Sequence, residues 1–243
     1  MHLKETQAVI LVGGLGTRLK PYTETVPKPM IEINEKPFLE YKIEQVKKFG
    51  VENLVFCVGY LGEKVEEYFG NGKKFGVNIN YSYEKELLGT AGAVKNAERL
   101  INSDFFIVMN GDTYIPINLS GLINFHFRNT YPITMSVTHA TNPNEQELIK
   151  VENGIVSQFF KRGTSEHKNY LEENNSPLIN AGVYVFDKNV LSSIPRNKKV
   201  SLEQEIFPQF VGKMNSFHYE GYMKDLTNIQ FCRELEKYLQ ENK

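Results

Sequence analysis

The feature that most constrains the fold is an alternation of two hydrophobic periods along the first half of the chain. Four segments have the apolar runs or the alternation typical of strands, at 8–12, 52–60, 77–84 and 104–112. Three segments between them have apolar residues at helical spacing, at 37–50, 62–70 and 90–101. Strands that alternate with helices are typical of βαβ units and a parallel sheet. The pattern therefore predicts an α/β fold, with ligands at the carboxyl ends of the strands.

The second half of the chain is less regular. Strand patterns at 133–140, 154–162 and 177–187 predict antiparallel additions to the sheet. Polar segments at 142–146 and 163–176, rich in Asn, Glu and Ser, are predicted loops. A helix is predicted at 201–211, broken or ended near Pro208, and an amphipathic closing helix at 228–240. Because no linker or composition shift divides residues 1–243, a single domain is expected.

Composition argues against several classes of protein. The net charge of −1 disfavours a nucleic-acid-binding protein, which usually has a basic excess. Cys57 and Cys232 lie far apart and outside any C-x-x-C motif, so neither a disulfide scaffold nor a zinc site is indicated. The N-terminal apolar stretch is too short for a signal peptide, and no apolar run is long enough to cross a bilayer. A cytoplasmic protein without membrane association is expected.

The loop that follows the first strand is rich in glycine and cationic residues. It fails the dinucleotide fingerprint G-x-G-x-x-G, because Leu19 occupies the third glycine position, and it fails the P-loop pattern at Arg18. Bare backbone N–H groups in such a loop still suit phosphate. Arg18 can bind phosphate oxygens bidentately, and Lys28, held between two prolines, adds a point charge. A solvated loop lysine is the alternative for Lys28.

Only four aspartates occur in the sequence, and two of them suit a cation. Asp112 follows an apolar strand pattern beside a glycine, where a carboxylate can join substrate phosphates around Mg²⁺. Asp225 is a candidate second ligand. The alternatives are a turn-forming role for Asp112 and an N-cap of the closing helix for Asp225.

Together these segments resemble one family. GGLGTRLKPYTETVPKPM is similar to the signature loop of sugar-1-phosphate nucleotidyltransferases, whose pattern is close to G-G-x-G-T-R-L-x-P-x-T-x-x-x-P-K-P-M. The likeness continues in order through KPFLEY, LLGTAGA, NGDT, NAGVYVF and SLEQEIFP to Asp225, over nearly the whole chain. Short single-domain members that act on heptose 1-phosphate with GTP look most similar.

The resemblance implies a fold. That fold is a Rossmann-like (GT-A-like) mixed, mostly parallel sheet flanked by helices, with a sugar-binding β elaboration. A nucleotide-binding half would span about 1–115 and a sugar-phosphate-binding half about 116–243. Short family members commonly pair, so a homodimer is one expected assembly.

The resemblance also implies the site residues. The nucleotide-binding residues would be Leu11, Gly13, Gly14, Gly16, Thr17, Arg18, Glu84, Gly89 and Thr90. The sugar-phosphate-binding residues would be Asn110, Lys161, Asn180 and Gly182. Arg18, Lys28 and Asp112 would be catalytic, and Asp112 and Asp225 would bind Mg²⁺.

The implied reaction joins two anions. A phosphate oxygen of a sugar 1-phosphate attacks the α-phosphorus of a nucleoside triphosphate, and pyrophosphate leaves. Repulsion between the phosphates is the main obstacle, so cationic groups, the metal and positioning would supply the catalysis.

Glu84 bears on the choice of nucleotide. It stands where thymidylyl members carry glutamine, and a carboxylate can accept both N1–H and N2–H of guanine. GTP is therefore favoured, while UTP, dTTP and CTP remain alternatives. Glu84 could otherwise be an ordinary surface glutamate in its charged run YEKE.

Two departures from the family pattern bear on the sugar and the metal. Phe160 stands where many members carry a sugar-binding glutamate, which leaves the sugar open between a heptose and another hexose-like ring. After Asp225, Thr227 and Ile229 replace the usual glycine and proline.

Two other classes of protein share part of this pattern. A glycosyltransferase would typically carry a D-x-D pair, which the four aspartates do not form. A non-catalytic sugar-nucleotide sensor is disfavoured by the retained Arg18, Lys28 and Asp112, although the altered segment after Asp225 keeps it open.

Overall fold

The computed structural model describes residues 5–242, and in them thirteen strands and six α-helices are defined. The strands are β1 (Gln7–Leu11), β2 (Glu32–Ile33), β3 (Lys36–Pro37), β4 (Asn53–Val58), β5 (Asn78–Tyr83), β6 (Phe105–Asn110), β7 (Thr113–Tyr114), β8 (Ile133–His139), β9 (Leu148–Glu152), β10 (Ile155–Phe160), β11 (Leu178–Asp187), β12 (Asn215–His218) and β13 (Lys224–Asp225). The helices are α1 (Phe38–Lys48), α2 (Gly62–Phe69), α3 (Gly89–Asn96), α4 (Leu119–Arg128), α5 (Ser165–Glu173) and α6 (Ile229–Glu241).

Nine of these strands form the main sheet, in the order β5-β4-β1-β6-β11-β8-β12-β10-β9. The first four are parallel, as the alternation of strands and helices predicts. β11 then runs antiparallel to both β6 and β8, and the β9–β10 hairpin completes a mainly antiparallel half. Asn153 and Gly154 both have positive φ in that hairpin, as a tight two-residue turn requires. The sheet is mixed, as predicted, with a larger antiparallel share than the sequence indicated.

Helices cover both faces of the sheet and form two cores. β1 shows the division, because Val9 packs into the core that includes α3, while Ala8 and Ile10 pack into the core under α1, α2 and α4. All three side chains are fully buried. A strand buried on both faces reads as a continuous apolar run, which explains the pattern at 8–12.

Two interpretations for the second half need correction. Residues 163–176, predicted to be a loop, contain α5. Thr164 caps this helix by accepting a hydrogen bond from His167 N at 3.3 Å, and the buried His167 ring lies 2.8 Å from the Gln146 carbonyl. This contact between the buried His167 ring and Gln146 stabilises a helix that the polar composition of the segment does not indicate. The sequence patterns also missed α4, β9 and β12.

The helix predicted at 201–211 is confirmed, with a π-helix at Leu202–Ile206 and a 3-10 helix at Phe207–Phe210, and its path changes just before Pro208 as expected. The second correction concerns the start of the closing helix. The closing helix α6 is capped by Asn228, whose side chain accepts from Phe231 N at 3.0 Å. Asp225 is therefore not its N-cap. Among residues 5–242, no helix is long and apolar enough to cross a membrane.

Candidate active site

A cavity of about 480 Å³ opens where β1 and β6 end. Its lining includes most residues that the family resemblance implies for the nucleotide: Leu11, Gly13, Gly14, Gly16, Thr17, Glu84, Gly89 and Thr90. It also includes Lys28, Asn110 and Asp112. Ligands were expected at this edge of the sheet, and the cavity lies there.

The glycine loop is braced from below. Gly16 has φ +61°, and a Cβ at this position would come 2.8 Å from Cγ2 of Thr23. The Thr23 hydroxyl and the Leu19 backbone N–H each donate to the Gly16 carbonyl at 2.9 Å, and the Leu19 side chain is buried. These contacts hold the loop in one conformation, with its backbone toward the cavity.

Arg18 lies on this loop but is not part of the cavity lining. Its side chain is exposed, and it has no ion-pair partner among residues 5–242. Arg18 is therefore near the site and free to turn toward a bound anion, whereas Lys28 already lines the wall.

Lys28 and Asp112 form an ion pair in that wall. The Lys28 ammonium donates to Oδ2 of Asp112, and the two side chains are 15% and 38% exposed. Lys28 begins a 3-10 turn that is closed by a 2.8 Å hydrogen bond from Met30 N to the Pro27 carbonyl. Asp112 follows β6. The structure therefore unites two of the three residues expected to be catalytic.

A two-stranded ribbon brings Asp225 beside Asp112. β13 pairs with β7 so that Asp225 lies opposite Thr113, and Leu226 N donates to the Asp112 carbonyl at 2.8 Å. Leu226 is fully buried and anchors the segment. The ribbon forms although Thr227 replaces the family glycine at this turn.

The electrostatics of this carboxylate pair suit a divalent cation. Burial raises the pKa of Asp225, and the negative charge of Asp112 raises it further, while a hydrogen bond from the Thr113 hydroxyl opposes both effects. Two carboxylates that repel each other beside a cavity provide the hard oxygen ligands that Mg²⁺ prefers. The residues present therefore fit the metal expected of the family.

Lys42 lies behind the carboxylates and was not singled out from the sequence. Its side chain is fully buried, and its ammonium donates to the Thr113 carbonyl at 2.9 Å. Burial lowers its pKa to about 7, although the charges of Asp112 and Asp225 act in the opposite direction. The sequence contains a signal for the burial of Lys42, because this residue falls three positions after the apolar Leu39 and therefore lies on the same face of α1.

Glu84 lines the large cavity, and only one of its two carboxylate oxygens is hydrogen-bonded. Its Oε2 accepts a 2.8 Å hydrogen bond from Leu88 N, and Oε1 faces Gly13. Burial raises the pKa of Glu84, and the Leu88 N–H partly offsets that rise. A partly buried carboxylate with one oxygen free of partners is not a solvated surface glutamate.

A second cavity of about 200 Å³ lies among β9, β10, β11 and the 201–211 segment. Lys161 and Asn180, both predicted to bind the sugar phosphate, contribute to its lining. Phe160 lines it too and stacks on Tyr170, with ring centroids 4.1 Å apart. Glu203 supplies a carboxylate to this cavity, and its role was missed from the sequence.

Asn110 and Gly182 pack against each other at the edge of the large cavity. Gly182 has φ +73°, and a Cβ there would lie 2.9 Å from Nδ2 of Asn110. Oδ1 of Asn110 is buried without a hydrogen-bond partner in the described part of the chain. A buried acceptor without a partner is an exception that a bound water, an ion or a ligand group can account for.

Asn180 uses its amide to shape β11. Its Oδ1 accepts from Gly182 N at 2.9 Å, and its Nδ2 donates to the Tyr184 hydroxyl at 2.6 Å. These bonds span the irregularity in the pairing of β11 with β8. The four predicted sugar-phosphate residues are thus divided, with Asn110 in the large cavity, Lys161 and Asn180 in the small one, and Gly182 beneath Asn110.

Lys199 is a further residue of the large cavity that the sequence patterns did not single out. Its side chain is exposed, and the backbone of the next residue, Val200, is held against α3. Ala91 N donates a 3.0 Å hydrogen bond to the Val200 carbonyl. Lys199 adds a positive charge to the lining of this cavity.

Known proteins resemble this chain in sequence and structure. A protein named D-glycero-alpha-D-manno-heptose 1-phosphate guanylyltransferase, from Aneurinibacillus thermoaerophilus, is 32% identical over 236 residues, which covers 96% of this chain and 98% of that protein. Mannose-1-phosphate guanylyltransferase from Mycobacterium tuberculosis is 31% identical over 239 residues, which covers 96% of this chain and 64% of that protein.

A crystal structure of HddC from Yersinia pseudotuberculosis complexed with GMP-PN matches with a TM-score of 0.81 and 26% identity, covering 96% of this chain and 99% of that one. The chain spans between 55% and 64% of the length of several curated relatives, including the mycobacterial one. The family model described as nucleotidyl transferase matches residues 7–229. The chain therefore belongs to the nucleotidyl transferase family.

Proposed function

We propose that this protein transfers a nucleotidyl group from a nucleoside triphosphate, GTP in preference, to a sugar 1-phosphate. The products are a nucleoside diphosphate sugar and pyrophosphate. The observation that carries the proposal is the ion pair of Lys28 with Asp112 in a cavity wall that also includes the glycine loop. Family membership and the names of the guanylyltransferase relatives support it.

In the proposed reaction, the backbone of the Gly13–Thr17 loop binds the triphosphate, while Lys28 and Arg18 neutralise it. Lys161 holds the sugar phosphate. A bond forms from a phosphate oxygen of the sugar 1-phosphate to the α-phosphorus, and the bond from that phosphorus to the bridging oxygen breaks. The electron pair leaves with pyrophosphate. No protein nucleophile is needed, since the sugar phosphate is ionised at neutral pH, and catalysis comes from positioning and charge.

Asp112 and Asp225 would hold Mg²⁺. When bound there, the ion would neutralise and orient phosphate oxygens. The proximity of two carboxylates, one with its pKa raised by burial and by the other's charge, supports this assignment.

We assign the base to the Glu84 side of the large cavity, with Gly89 and Thr90 beside it. Glu84 keeps Oε1 free, and its second oxygen retains a lone pair beyond the bond from Leu88 N. A carboxylate so placed can accept the two adjacent N–H groups of guanine. UTP, dTTP and CTP are the alternative nucleotides, for which the uracil, thymine or cytosine edge offers a different pattern.

We assign the sugar, a heptose or another hexose-like ring, to the region from Asn110 to the small cavity. Asn110 brings an unpaired buried acceptor to this region. Phe160, which stands where many family members carry a glutamate, stacks on Tyr170. Glu147 and Glu203 both line the small cavity, and because both oxygens of Glu147 accept from the Gln204 amide, we assign the sugar hydroxyls to Glu203.

The residues that line the small cavity lie between 147 and 208, and all but one of those that line the large cavity lie between 11 and 112. This division supports a nucleotide half at about 1–115 and a sugar half at about 116–243 of a single domain.

A substrate matrix tests the proposal. GTP, UTP, dTTP, CTP and ATP are each combined with heptose, mannose and glucose 1-phosphates in Mg²⁺, and pyrophosphate is measured. We expect release that requires both substrates and is fastest with GTP. Lys28→Met should abolish it, while Lys48→Met, an exposed lysine of α1, should not.

Pyrophosphate release that does not require a sugar phosphate would overturn the proposal. So would the absence of pyrophosphate release with every pair of substrates. Release of nucleoside diphosphate from a nucleotide sugar would indicate the glycosyltransferase, and tight binding of a nucleotide sugar without turnover would indicate the sensor. A homodimer and a cytoplasmic location stay predictions, and sedimentation velocity of the purified chain tests the first.

A further inference from the structure

A group of metal-ligating side chains lies outside both cavities, where β8 and β12 end. It consists of His139, His218 and Glu220, which we call the histidine cluster. All three side chains are exposed. Each has one potential ligand atom, and these three atoms lie within 4.8 Å of one another. None of the three belongs to the lining of either cavity.

The sheet holds the backbone of the histidine cluster in place. β8 and β12 pair in parallel, with His218 opposite Val137. Tyr219 N donates to the Val137 carbonyl at 2.8 Å, so the pairing extends past the end of β12. Continuing that register places Glu220 level with His139. Ligands on paired strands are held more precisely than ligands on free loops.

The two imidazoles are arranged to share a ligand. Their ring centroids are 4.9 Å apart with an interplanar angle of 69°. Nδ1 of His139 lies 2.7 Å from the Ser176 hydroxyl, which orients the ring and leaves Nε2 free to bind. Histidine ligands in metalloproteins are usually oriented by such a contact at the other ring nitrogen.

The donor set identifies the class of ion. Two imidazole nitrogens and one carboxylate oxygen suit zinc and similar divalent transition metals, whereas Mg²⁺ prefers oxygen ligands alone. Three protein ligands at about 2.0 Å, with water as the fourth, are a common zinc arrangement. The ligand atoms already lie within 4.8 Å of one another, and because the side chains are exposed, rotation about their χ angles can bring these atoms to the spacing that a tetrahedral ion requires.

We propose that His139, His218 and Glu220 form a binding site for a divalent transition metal of the zinc class. This site is separate from the Asp112–Asp225 pair and differs from it in ligand chemistry. It does not depend on the nucleotidyl transfer proposed above, so its test needs no substrate.

The test is a titration of the untagged chain with Zn²⁺, in competition with a chromophoric chelator and in millimolar Mg²⁺. We expect one Zn²⁺ per chain that Mg²⁺ does not displace. His139→Ala and His218→Ala should each weaken affinity by about tenfold or more. Glu220→Gln should weaken it less, and the control Glu172→Gln, an exposed carboxylate on α5, should leave it unchanged.

Zn²⁺ bound equally by wild type and by the His139→Ala, His218→Ala double variant would overturn the proposal, as would no binding at micromolar Zn²⁺. Proton NMR of the wild-type chain gives a second readout that needs no variant. Two exposed histidine ring signals should shift or broaden together and saturate at one equivalent of Zn²⁺, and unmoved signals would contradict the site.

Discussion

The Thr90 hydroxyl donates a 2.8 Å hydrogen bond to Oε2 of Glu203, and this bond joins the walls of the two cavities. Thr90 lines the larger cavity and Glu203 the smaller one. Leu202 N donates to the same hydroxyl oxygen at 2.7 Å, and Ser201 Oγ donates to Oε2 of Glu203 at 2.9 Å. These bonds tie the start of α3 to the segment 201–203, so they hold the walls of the two cavities in a fixed relation to each other.

Glu203→Gln should selectively weaken binding of the sugar. The amide oxygen can keep the bonds from Thr90 and Ser201, but the amide nitrogen then faces the small cavity and cannot accept from a hydroxyl. We expect the KM for the sugar 1-phosphate to rise about tenfold, equivalent to about 1.4 kcal/mol, with the KM for GTP within about twofold. Steady-state kinetics with Glu172→Gln as control measure this. An equal rise in the KM values for the sugar 1-phosphate and GTP would show that Glu203 has a structural role and does not bind the sugar.

Arg18→Ala should remove turnover and leave the fold intact. The side chain is exposed and makes no ion pair in the described residues, so its loss costs little stability. If it stabilises the leaving pyrophosphate, kcat should fall by about a hundredfold or more. Pyrophosphate release and thermal melting test this against Arg128→Ala, an exposed arginine at the end of α4. Wild-type turnover in Arg18→Ala would refute the role.

Asp112→Asn should abolish the response of activity to Mg²⁺. The substitution removes a negatively charged oxygen from the predicted metal site and leaves the Lys28 ammonium without an anionic partner. We expect Mg²⁺ affinity, measured by calorimetry, to fall by about tenfold or more, together with loss of turnover. Asp104→Asn, at an exposed aspartate before β6, is the matched control. An unchanged Mg²⁺ titration would reject Asp112 as a ligand.

Glu84→Gln should erode the preference for GTP over UTP by about tenfold, since an amide cannot accept both guanine N–H groups. The pH dependence gives a second test. Burial raises the pKa of Glu84 above its ordinary 4.5, and only the ionised form accepts both bonds. GTP affinity should therefore fall as pH decreases through that raised pKa, beginning above pH 4.5. An unaltered nucleotide ranking would mean that the base is selected elsewhere.

Lys42→Met should change how stability depends on pH. The pKa of Lys42 is lowered from 10.5 to about 7 in the folded chain, so between these values the unfolded chain binds the extra proton. The free energy of unfolding of the wild type should therefore rise with pH above about 7, by at most about 1.4 kcal/mol per pH unit from this group. Lys42→Met should lack that rise.

Urea unfolding at several pH values between about 7 and 9 measures the effect. Lys48→Met is the control, because its exposed lysine should leave the wild-type slope in place. Parallel stability curves for wild type and Lys42→Met would show that Lys42 stays protonated when buried.

Much of the parallel half of the sheet could be predicted because its signals are local. The run at 8–12 encodes a strand buried on both faces, and the spacing at 37–50 encodes α1 up to its stop at Gly50, which has φ +78°. The glycine loop and Asp112 could be placed at strand ends by the same reasoning. Periodicity failed at α5, where the buried contact of His167 with Gln146 outweighs a polar composition.

The sequence by itself determined which residues end the parallel strands and which of them suit phosphate and metal. Only the tertiary structure decided that Asp225 meets Asp112 across a ribbon, that Lys42 is buried behind them, and that Glu203 reaches Thr90. The physical reason is distance along the chain. Strand and helix periods are set by neighbours a few residues apart, whereas these contacts join residues separated by about 70 to 113 positions and exist only once the sheet has paired.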